Sequence, residues 1–145
     1  MGVVITTAAT RALGVDLGER RIGLALSDPS RTVASPLDVL RRSGDPVADR
    51  QAIVDVARAE GASVIVVGLP LSLSGGSGPA AKAAVLEAEA LRAVAGDIEV
   101  VLHDERLTTV TAERSLGEAR MSRAERREVV DKVAAAVMLQ SWLDR

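Results

Sequence analysis

The 145-residue sequence contains no cysteine, and this absence excludes three classes of site. A disulfide framework, a thiol nucleophile and a zinc site with thiolate ligands all require cysteine. The sequence therefore says nothing about the redox state of the compartment. Histidine occurs once, at His103, and a single histidine on a predicted strand is more often structural than catalytic.

Aromatic side chains are almost as scarce. The sequence has no phenylalanine, no tyrosine and one tryptophan, Trp142. General single-strand binders stack bases on a platform of aromatic rings, and this chain cannot build one. Any recognition of nucleic acid would have to depend on the backbone and on shape.

We expect neither a leader nor a membrane span in the N-terminal segment. The first eleven residues, MGVVITTAATR, have no basic leader and no apolar stretch of sufficient length, so we expect a cytoplasmic protein without membrane contact. A content of 48% hydrophobic and 26% charged residues is typical of globular proteins. We expect residues 1–145 to form one domain, with residues 1–11 as a flexible N-terminal extension.

The chain also lacks an excess of basic residues. Its net charge is −2, whereas many nucleic-acid binders carry a positive footprint. A bound pair of Mg²⁺ ions would nevertheless bring four positive charges to the place where a phosphate must lie. The net charge therefore does not exclude a function on nucleic acid.

Short apolar runs predict three strands near the N-terminus. Residues 12–18 and 22–27 flank the charged turn Glu19-Arg20-Arg21 and predict a β-hairpin. A further strand over residues 32–40 would extend the hairpin into an antiparallel meander.

Two helix and strand pairs are predicted next. A helical pattern follows the Ser43-Gly44-Asp45-Pro46 segment and ends near Glu60, with Gly61 as a stop signal. The continuous β-branched run over residues 63–69 predicts a parallel strand that is covered on both faces. The pattern then repeats, with a helix over residues 79–95 and a buried strand over residues 98–105.

The C-terminal segment, residues 108–143, is predicted to be mostly helical, with breaks near Gly117 and Ser122. Three hairpin strands followed by two βα-type units indicate an α/β fold. We expect a five-stranded mixed sheet, an antiparallel meander plus parallel strands, flanked by helices.

Acidic residues occur at three places in the predicted fold where a carboxylate is costly. Asp16 interrupts the apolar first strand. Asp104 and Glu105 end a buried strand, at the edge where open α/β sheets bind ligands. Asp131 lies on the apolar stripe of the last helix. Only one of Asp104 and Glu105 can face a given side of the sheet, and the pattern does not choose between them.

Each of these acids also has an ordinary structural explanation. Asp16 could cap a turn, and Asp131 could cap the start of its helix. Asp104 or Glu105 could pair with Arg106. Three such coincidences at one sheet edge are a weaker explanation than one shared role.

Carboxylates gathered at one edge repel each other unless a cation holds them together. Mg²⁺ prefers oxygen ligands of this kind. Two such ions can hydrolyse a phosphodiester, because one activates water and the other stabilises the leaving oxygen. The acidic residues therefore predict a metal-dependent nuclease.

Four motifs in the same order carry a resemblance to a known family. They are GVDLGERRIGLALSD at 14–28, VVGLPLS at 66–72, HDERLTT at 103–109 and DKVAAAVMLQSWLD at 131–144. They resemble the YqgF/RuvX family of RNase H-like nucleases, which is related to the RuvC Holliday-junction resolvases. The resemblance begins near residue 12 and spans the rest of the chain.

This resemblance implies an RNase H-like fold and a metal-dependent endonuclease. Its substrate would be the 5′ end of the 16S rRNA precursor, a Holliday junction, or both. The implied catalytic and metal-binding residues are Asp16, Glu105 and Asp131, holding two Mg²⁺ or Mn²⁺ ions, which selects Glu105 over Asp104. The implied partners are structured RNA or branched DNA, with a homodimer or ribosome association possible.

Five further residues are candidates for substrate binding: Gly18, Arg20, Arg21, Arg106 and Thr108. Gly18 and Gly23 could let a phosphate approach the hairpin closely, or could serve strand packing. Arg106 could clamp a phosphate through two hydrogen bonds, or pair with Asp104. The two hairpin arginines could equally be solvated charges, and the threonine could cap the next helix.

Two other functions fit parts of the sequence. The string DLGERRIG resembles the first phosphate loop of the ATP-binding superfamily of actin, heat-shock chaperones and sugar kinases. Those proteins close two domains over the nucleotide, whereas this chain has room for one. A non-catalytic nucleic-acid-binding factor is the other alternative, and the complete set of acids argues against it.

Overall fold

A computed structural model describes residues 10–70, 78–104 and 123–145 of the chain, apart from the side chain of Ala124. These ranges form five strands and three helices. The strands are β1 (Arg11–Leu17), β2 (Arg21–Ser27), β3 (Ala34–Arg41), β4 (Ala62–Leu69) and β5 (Glu99–Asp104). The helices are α1 (Pro46–Ala59), α2 (Pro79–Val94) and α3 (Arg123–Leu143). Each element predicted for these ranges is present, and the ends that fall within them differ from the predicted ones by at most two residues.

The five strands form one sheet in the order β3-β2-β1-β4-β5. The first three strands pair antiparallel, and β4 and β5 add to β1 in parallel. This pairing confirms the predicted mixed sheet of an antiparallel meander plus parallel strands. Strand β1 begins at Arg11, the last residue of the predicted N-terminal extension; residues 1–9 lie outside the described ranges.

Helices cover both faces of the sheet. On one face the strands pack against α1 and α2, and the buried residues include Leu13, Val15, Ile53, Val54 and Leu91. On the other face they pack against α3, and the buried residues include Ala12, Val66, Met138, Leu139 and Trp142. Within the described ranges, no helix combines the length and the hydropathy that a membrane span requires.

Strand β4 is covered on both faces, as its β-branched run predicts. Ile65 and Val67 belong to the core under α1 and α2. Val64 and Val66 belong to the core under α3. A strand with apolar side chains on both faces must be covered on both sides, and β4 lies inside the sheet between β1 and β5.

Local signals set the ends of α1. The Asp45 side chain accepts a hydrogen bond from the backbone N–H of Val47 at 3.0 Å, and Pro46 begins the helix. The chain leaves the helix through Gly61, whose φ of +72° suits glycine. The predicted stop at Gly61 is confirmed.

Candidate active site

Asp16 lies one residue before the end of β1 and faces the side of the sheet covered by α3. Two residues earlier, a Cβ atom placed on Gly14 would come 2.9 Å from the Cβ of Leu139 in α3. Alternate residues of a strand share a face, so Asp16 faces α3 as well. Asp16 is paired with Gly23 of β2 within the sheet.

Gly23 brings α3 against the strand beside Asp16. A Cβ atom on Gly23 would lie 2.2 Å from the backbone oxygen of Asp131, so only glycine allows this approach. Residues paired directly across antiparallel strands point to the same face. Asp16 and Asp131 therefore flank one point of contact, one from the strand and the other from the helix.

Asp131 lies in the third turn of α3, which begins at Arg123. Its predicted alternative role as a helix N-cap is therefore wrong. The apolar positions that follow on the same stripe are buried, as predicted: Ala135, Met138, Leu139 and Trp142. The Asp131 side chain itself keeps 28% of its surface exposed. The apolar stripe of α3 thus ends in a carboxylate that reaches solvent at the sheet edge.

Arg21 forms an ion pair with Asp131. Its Nε donates a hydrogen bond of 2.6 Å to Oδ2 of the carboxylate, and the arginine side chain is 26% exposed. The sequence suggests a solvated charge or a substrate ligand at this position. Partners 110 positions apart cannot be paired from the sequence pattern alone, so this contact is a structural finding.

His103 and Asp104 point to opposite faces of β5. The Nε2 atom of His103 and the Oγ atom of Ser141 in α3 are hydrogen-bonded at 2.9 Å, so His103 faces α3. Its neighbour Asp104 therefore faces the layer of α1 and α2, away from Asp16. Burial lowers the pKa of His103, and the nearby charge of Asp104 offsets part of this effect.

Three predicted site residues, Glu105, Arg106 and Thr108, lie outside the described ranges. Among the residues within them, no group of three or more acidic or histidine side chains is arranged to hold a metal ion. Asp16 and Asp131 still offer hard oxygen ligands on the same face of the sheet. Mg²⁺ typically takes one or two protein carboxylates together with water and substrate phosphate, so this pair fits a divalent cation.

A cleft of about 300 Å³ opens beside Asp131. The other residues that line it come from the β1–β2 turn and the first position of β2: Gly18, Glu19, Arg20 and Arg21. The hairpin turn singled out by the sequence thus borders the Asp131 carboxylate. A cleft of this kind, lined by charged groups, can admit part of an anionic ligand.

Two more arginines, which the sequence analysis missed, lie at the same sheet edge. Arg41 pairs with Arg21 across β2 and β3. Arg42 donates a hydrogen bond of 2.9 Å from its Nε to the backbone oxygen of Gly18. The predicted meander could have identified both arginines, because the third strand of a meander ends beside the turn between the first two strands.

A sequence profile described as "RuvX: Holliday junction resolvase" matches residues 10–145. The chain belongs to the RuvX family. A "Putative pre-16S rRNA nuclease" of Pelotomaculum thermopropionicum is 48% identical over 134 residues, covering 92% of this chain and 86% of that relative. A relative of the same description from Moorella thermoacetica is 45% identical over 135 residues, covering 93% and 95%.

Solved structures of RuvC share the fold of this RuvX-family chain. RuvC of Thermus thermophilus in complex with a Holliday junction substrate aligns with a TM-score of 0.52 at 15% identity, covering 89% of this chain and 91% of that one. Another Thermus thermophilus RuvC structure aligns with a TM-score of 0.51 at 14% identity, covering 92% and 96%. The predicted RNase H-like fold and the predicted family are both confirmed.

Proposed function

We propose that this RuvX-family protein is a metal-dependent endonuclease that processes the 5′ end of the 16S rRNA precursor in the cytoplasm. The two relatives are described as pre-16S rRNA nucleases, and the 5′ end comes from the family resemblance. The structural observation that carries the proposal is the approach of Asp131 to the strand position opposite Asp16 at Gly23. This approach gathers two carboxylates on one face of the sheet.

We assign the catalytic and metal-binding roles to Asp16, Glu105 and Asp131. The orientation of His103 toward α3 supports Glu105, because it turns Asp104 away from Asp16. The DER motif of the family points to the same residue. Asp104 is therefore not part of the proposed site.

The three carboxylates would hold Mg²⁺ or Mn²⁺, and two ions suit a phosphodiester substrate. A bound divalent cation would lower the pKa of a water molecule that it coordinates and would neutralise the charge that develops on the phosphate. The protein contributes a fixed arrangement of ligands: the β1–β2 pairing holds Asp16, and the Gly23 contact holds the helix turn that carries Asp131.

The arginines at the sheet edge are proposed to bind the phosphate backbone. Arg20 lines the cleft beside Asp131, and Arg42 is held at the hairpin turn by its hydrogen bond to Gly18. Guanidinium groups bind phosphate oxygens through paired hydrogen bonds. Arg106 and Thr108 remain proposed substrate ligands from the family motif.

The test is a cleavage assay with Mg²⁺ or Mn²⁺ on two substrates side by side, a precursor-rRNA mimic and a four-way DNA junction. Asp16→Asn and Asp131→Asn should each lower the rate by several orders of magnitude, because they weaken metal binding in the transition state. Asp97→Asn is the matched control. Asp97 is 94% exposed and precedes β5, at the opposite edge of the sheet.

Preferred cleavage of the RNA mimic would support the proposal. Preferred cleavage of the junction would reassign the substrate to branched DNA, and a two-fold symmetric junction would also require a dimer. Binding without cleavage by the wild-type protein would favour the non-catalytic alternative. Cleavage that survives Asp16→Asn would refute the proposed mechanism.

A further inference from the structure

We propose that Arg21 is the resident counter-cation of Asp131, and that a divalent metal ion must displace it to bind. The inference rests on the proposed function, because it concerns the same carboxylates. It assigns Arg21 a role in setting metal affinity, beyond the phosphate contact suggested by the sequence.

The contact between the two side chains is short and partly shielded from solvent. The Nε atom of Arg21 lies 2.6 Å from Oδ2 of Asp131, and the two side chains are 26% and 28% exposed. A charge-assisted hydrogen bond of this length occupies one oxygen of the carboxylate. That oxygen cannot accept the guanidinium and coordinate a metal ion in the same direction.

The backbone holds Arg21 in reach of Asp131. Arg21 begins β2, and its backbone oxygen accepts a hydrogen bond of 2.9 Å from the N–H of Gly18. Two residues further along the same face, Gly23 fixes the distance between β2 and the Asp131 turn. The guanidinium therefore competes with a metal ion for the Asp131 carboxylate from a fixed position. It is not a freely moving surface charge.

The ion pair also reduces the electrostatic repulsion between carboxylates in the metal-free protein. Asp16 and Asp131 lie on one face, and their negative charges repel. The guanidinium supplies one positive charge there, and a divalent cation supplies two. The pair thus stabilises the metal-free site and raises the metal concentration that is needed to fill it.

Neighbouring arginines do not share this role. Arg41 pairs instead with Glu128, at 3.0 Å. Arg20 lines the same cleft, but within the described ranges no carboxylate forms an ion pair with it. Arg58, which is 51% exposed in the last turn of α1 and does not line this cleft, offers a matched control with the same change of charge.

The experiment measures Mn²⁺ binding by isothermal titration calorimetry to the full-length protein without nucleic acid. Arg21→Gln should bind Mn²⁺ about fivefold more tightly than the wild type, which corresponds to the upper end of the range for a surface ion pair. Arg58→Gln should change the affinity less than about twofold, since it removes a charge outside the cleft whose repulsion is screened by salt. Arg21→Lys keeps the charge and should remain close to the wild type.

A second measurement tests the ion pair without metal. In EDTA, a double-mutant cycle of Arg21→Gln and Asp131→Asn in urea unfolding should show a favourable coupling between the two side chains. Tighter Mn²⁺ binding by Arg21→Gln alone, together with this coupling, supports the inference. Zero coupling would overturn it.

The remaining outcomes separate this inference from the proposed function. If the wild type binds Mn²⁺ and Arg21→Gln binds it equally or more weakly, Arg21 does not compete, and only the inference fails. If no variant binds Mn²⁺ and the wild type cleaves neither substrate, the metal centre itself is refuted and the inference falls with it.

Discussion

The backbone of Gly23 in β2 lies directly against the backbone carbonyl of Asp131 in α3. A Cβ atom at Gly23 would come 2.2 Å from that oxygen and 2.8 Å from its carbon. Both neighbours are backbone atoms, which cannot rotate away as a flexible side chain can. The contact therefore sets how closely the carboxylate helix approaches the strand that pairs with Asp16.

Gly23→Ala should both destabilise the protein and damage the proposed site. The added methyl group must push α3 away from the sheet, and overpacking of this kind costs about 3 kcal/mol. The same displacement should separate Asp131 from Asp16 and lower cleavage at least tenfold, because small misplacements of catalytic groups have large effects. Urea unfolding and the cleavage assay measure the two effects.

Gly78→Ala is the control for this substitution. Gly78 precedes α2 with an ordinary φ of −96°, and nothing lies within 4 Å of a Cβ built on it. Its replacement should cost about 1 kcal/mol or less, as expected for an alanine at a helix N-cap. Equal stability and activity in the two variants would contradict the steric account of Gly23.

The sheet and its layers could be predicted because their signals are local. The hairpin around Glu19-Arg20-Arg21 and the β-branched run of β4 each fit within one short window, and the structure has both elements. The burial of Asp131's apolar neighbours follows from helical spacing alone. These predictions needed no knowledge of which elements meet.

The details of the site could not be predicted, because they depend on distant contacts. Nothing near Gly23 in the sequence shows that it opposes Asp131, and nothing near Arg21 shows that it pairs with the same residue. Side-chain alternation offered two choices at Asp104 and Glu105; only the family motif selected Glu105, and the orientation of His103 adds support that the sequence could not supply. Tertiary packing determines such contacts, and the periodicity of apolar residues in the sequence does not reveal how distant elements pack.

The double variant Arg20→Gln, Arg42→Gln should bind nucleic acid more weakly, and its affinity should depend less steeply on salt concentration. Each phosphate contact releases counterions, which contributes about 0.7 to 0.9 to the slope of log K against log salt concentration. Loss of two contacts should therefore reduce the magnitude of the slope by about 1.5. Fluorescence anisotropy with a labelled precursor-rRNA mimic at several salt concentrations provides the measurement.

Arg58→Gln is the matched control for the arginine variant. Arg58 is 51% exposed in the last turn of α1, near the opposite edge of the sheet. Its replacement changes the net charge but should leave the slope unchanged. A slope that shifts by the same amount per removed charge in both variants would show that only the overall charge matters.

Leu139→Ala should destabilise the fold through the layer under α3. Leu139 is fully buried, and its Cβ lies next to the position of Gly14 in β1. Removing a fully buried leucine side chain costs about 3 kcal/mol. Leu86→Ala, on the exposed side of α2 where the leucine is 71% exposed, should cost less than about 0.5 kcal/mol. Comparable midpoints in urea would contradict the assignment of α3 to the core.

His103 should make the stability of the protein depend on pH near neutrality. Burial lowers the pKa of His103 below its ordinary value of 6.5, Asp104 counteracts this, and Arg145 adds to it. Between the lowered pKa and 6.5 the unfolded chain therefore holds more protons than the folded protein. The free energy of unfolding should fall as the pH drops through this window, and the loss should stop below the folded pKa.

Because the chain has one histidine, the imidazole signal in an NMR titration reports this pKa without ambiguity. His103→Gln keeps a side chain that can hydrogen-bond to Ser141 and removes the titrating group. Urea unfolding at about pH 7.5 and about pH 5.5 should thus show a smaller pH effect in the variant than in the wild type. An imidazole that titrates above 6.5 would mean that the charge of Asp104 outweighs burial, and the wild type would then gain stability from His103 as the pH falls through that range.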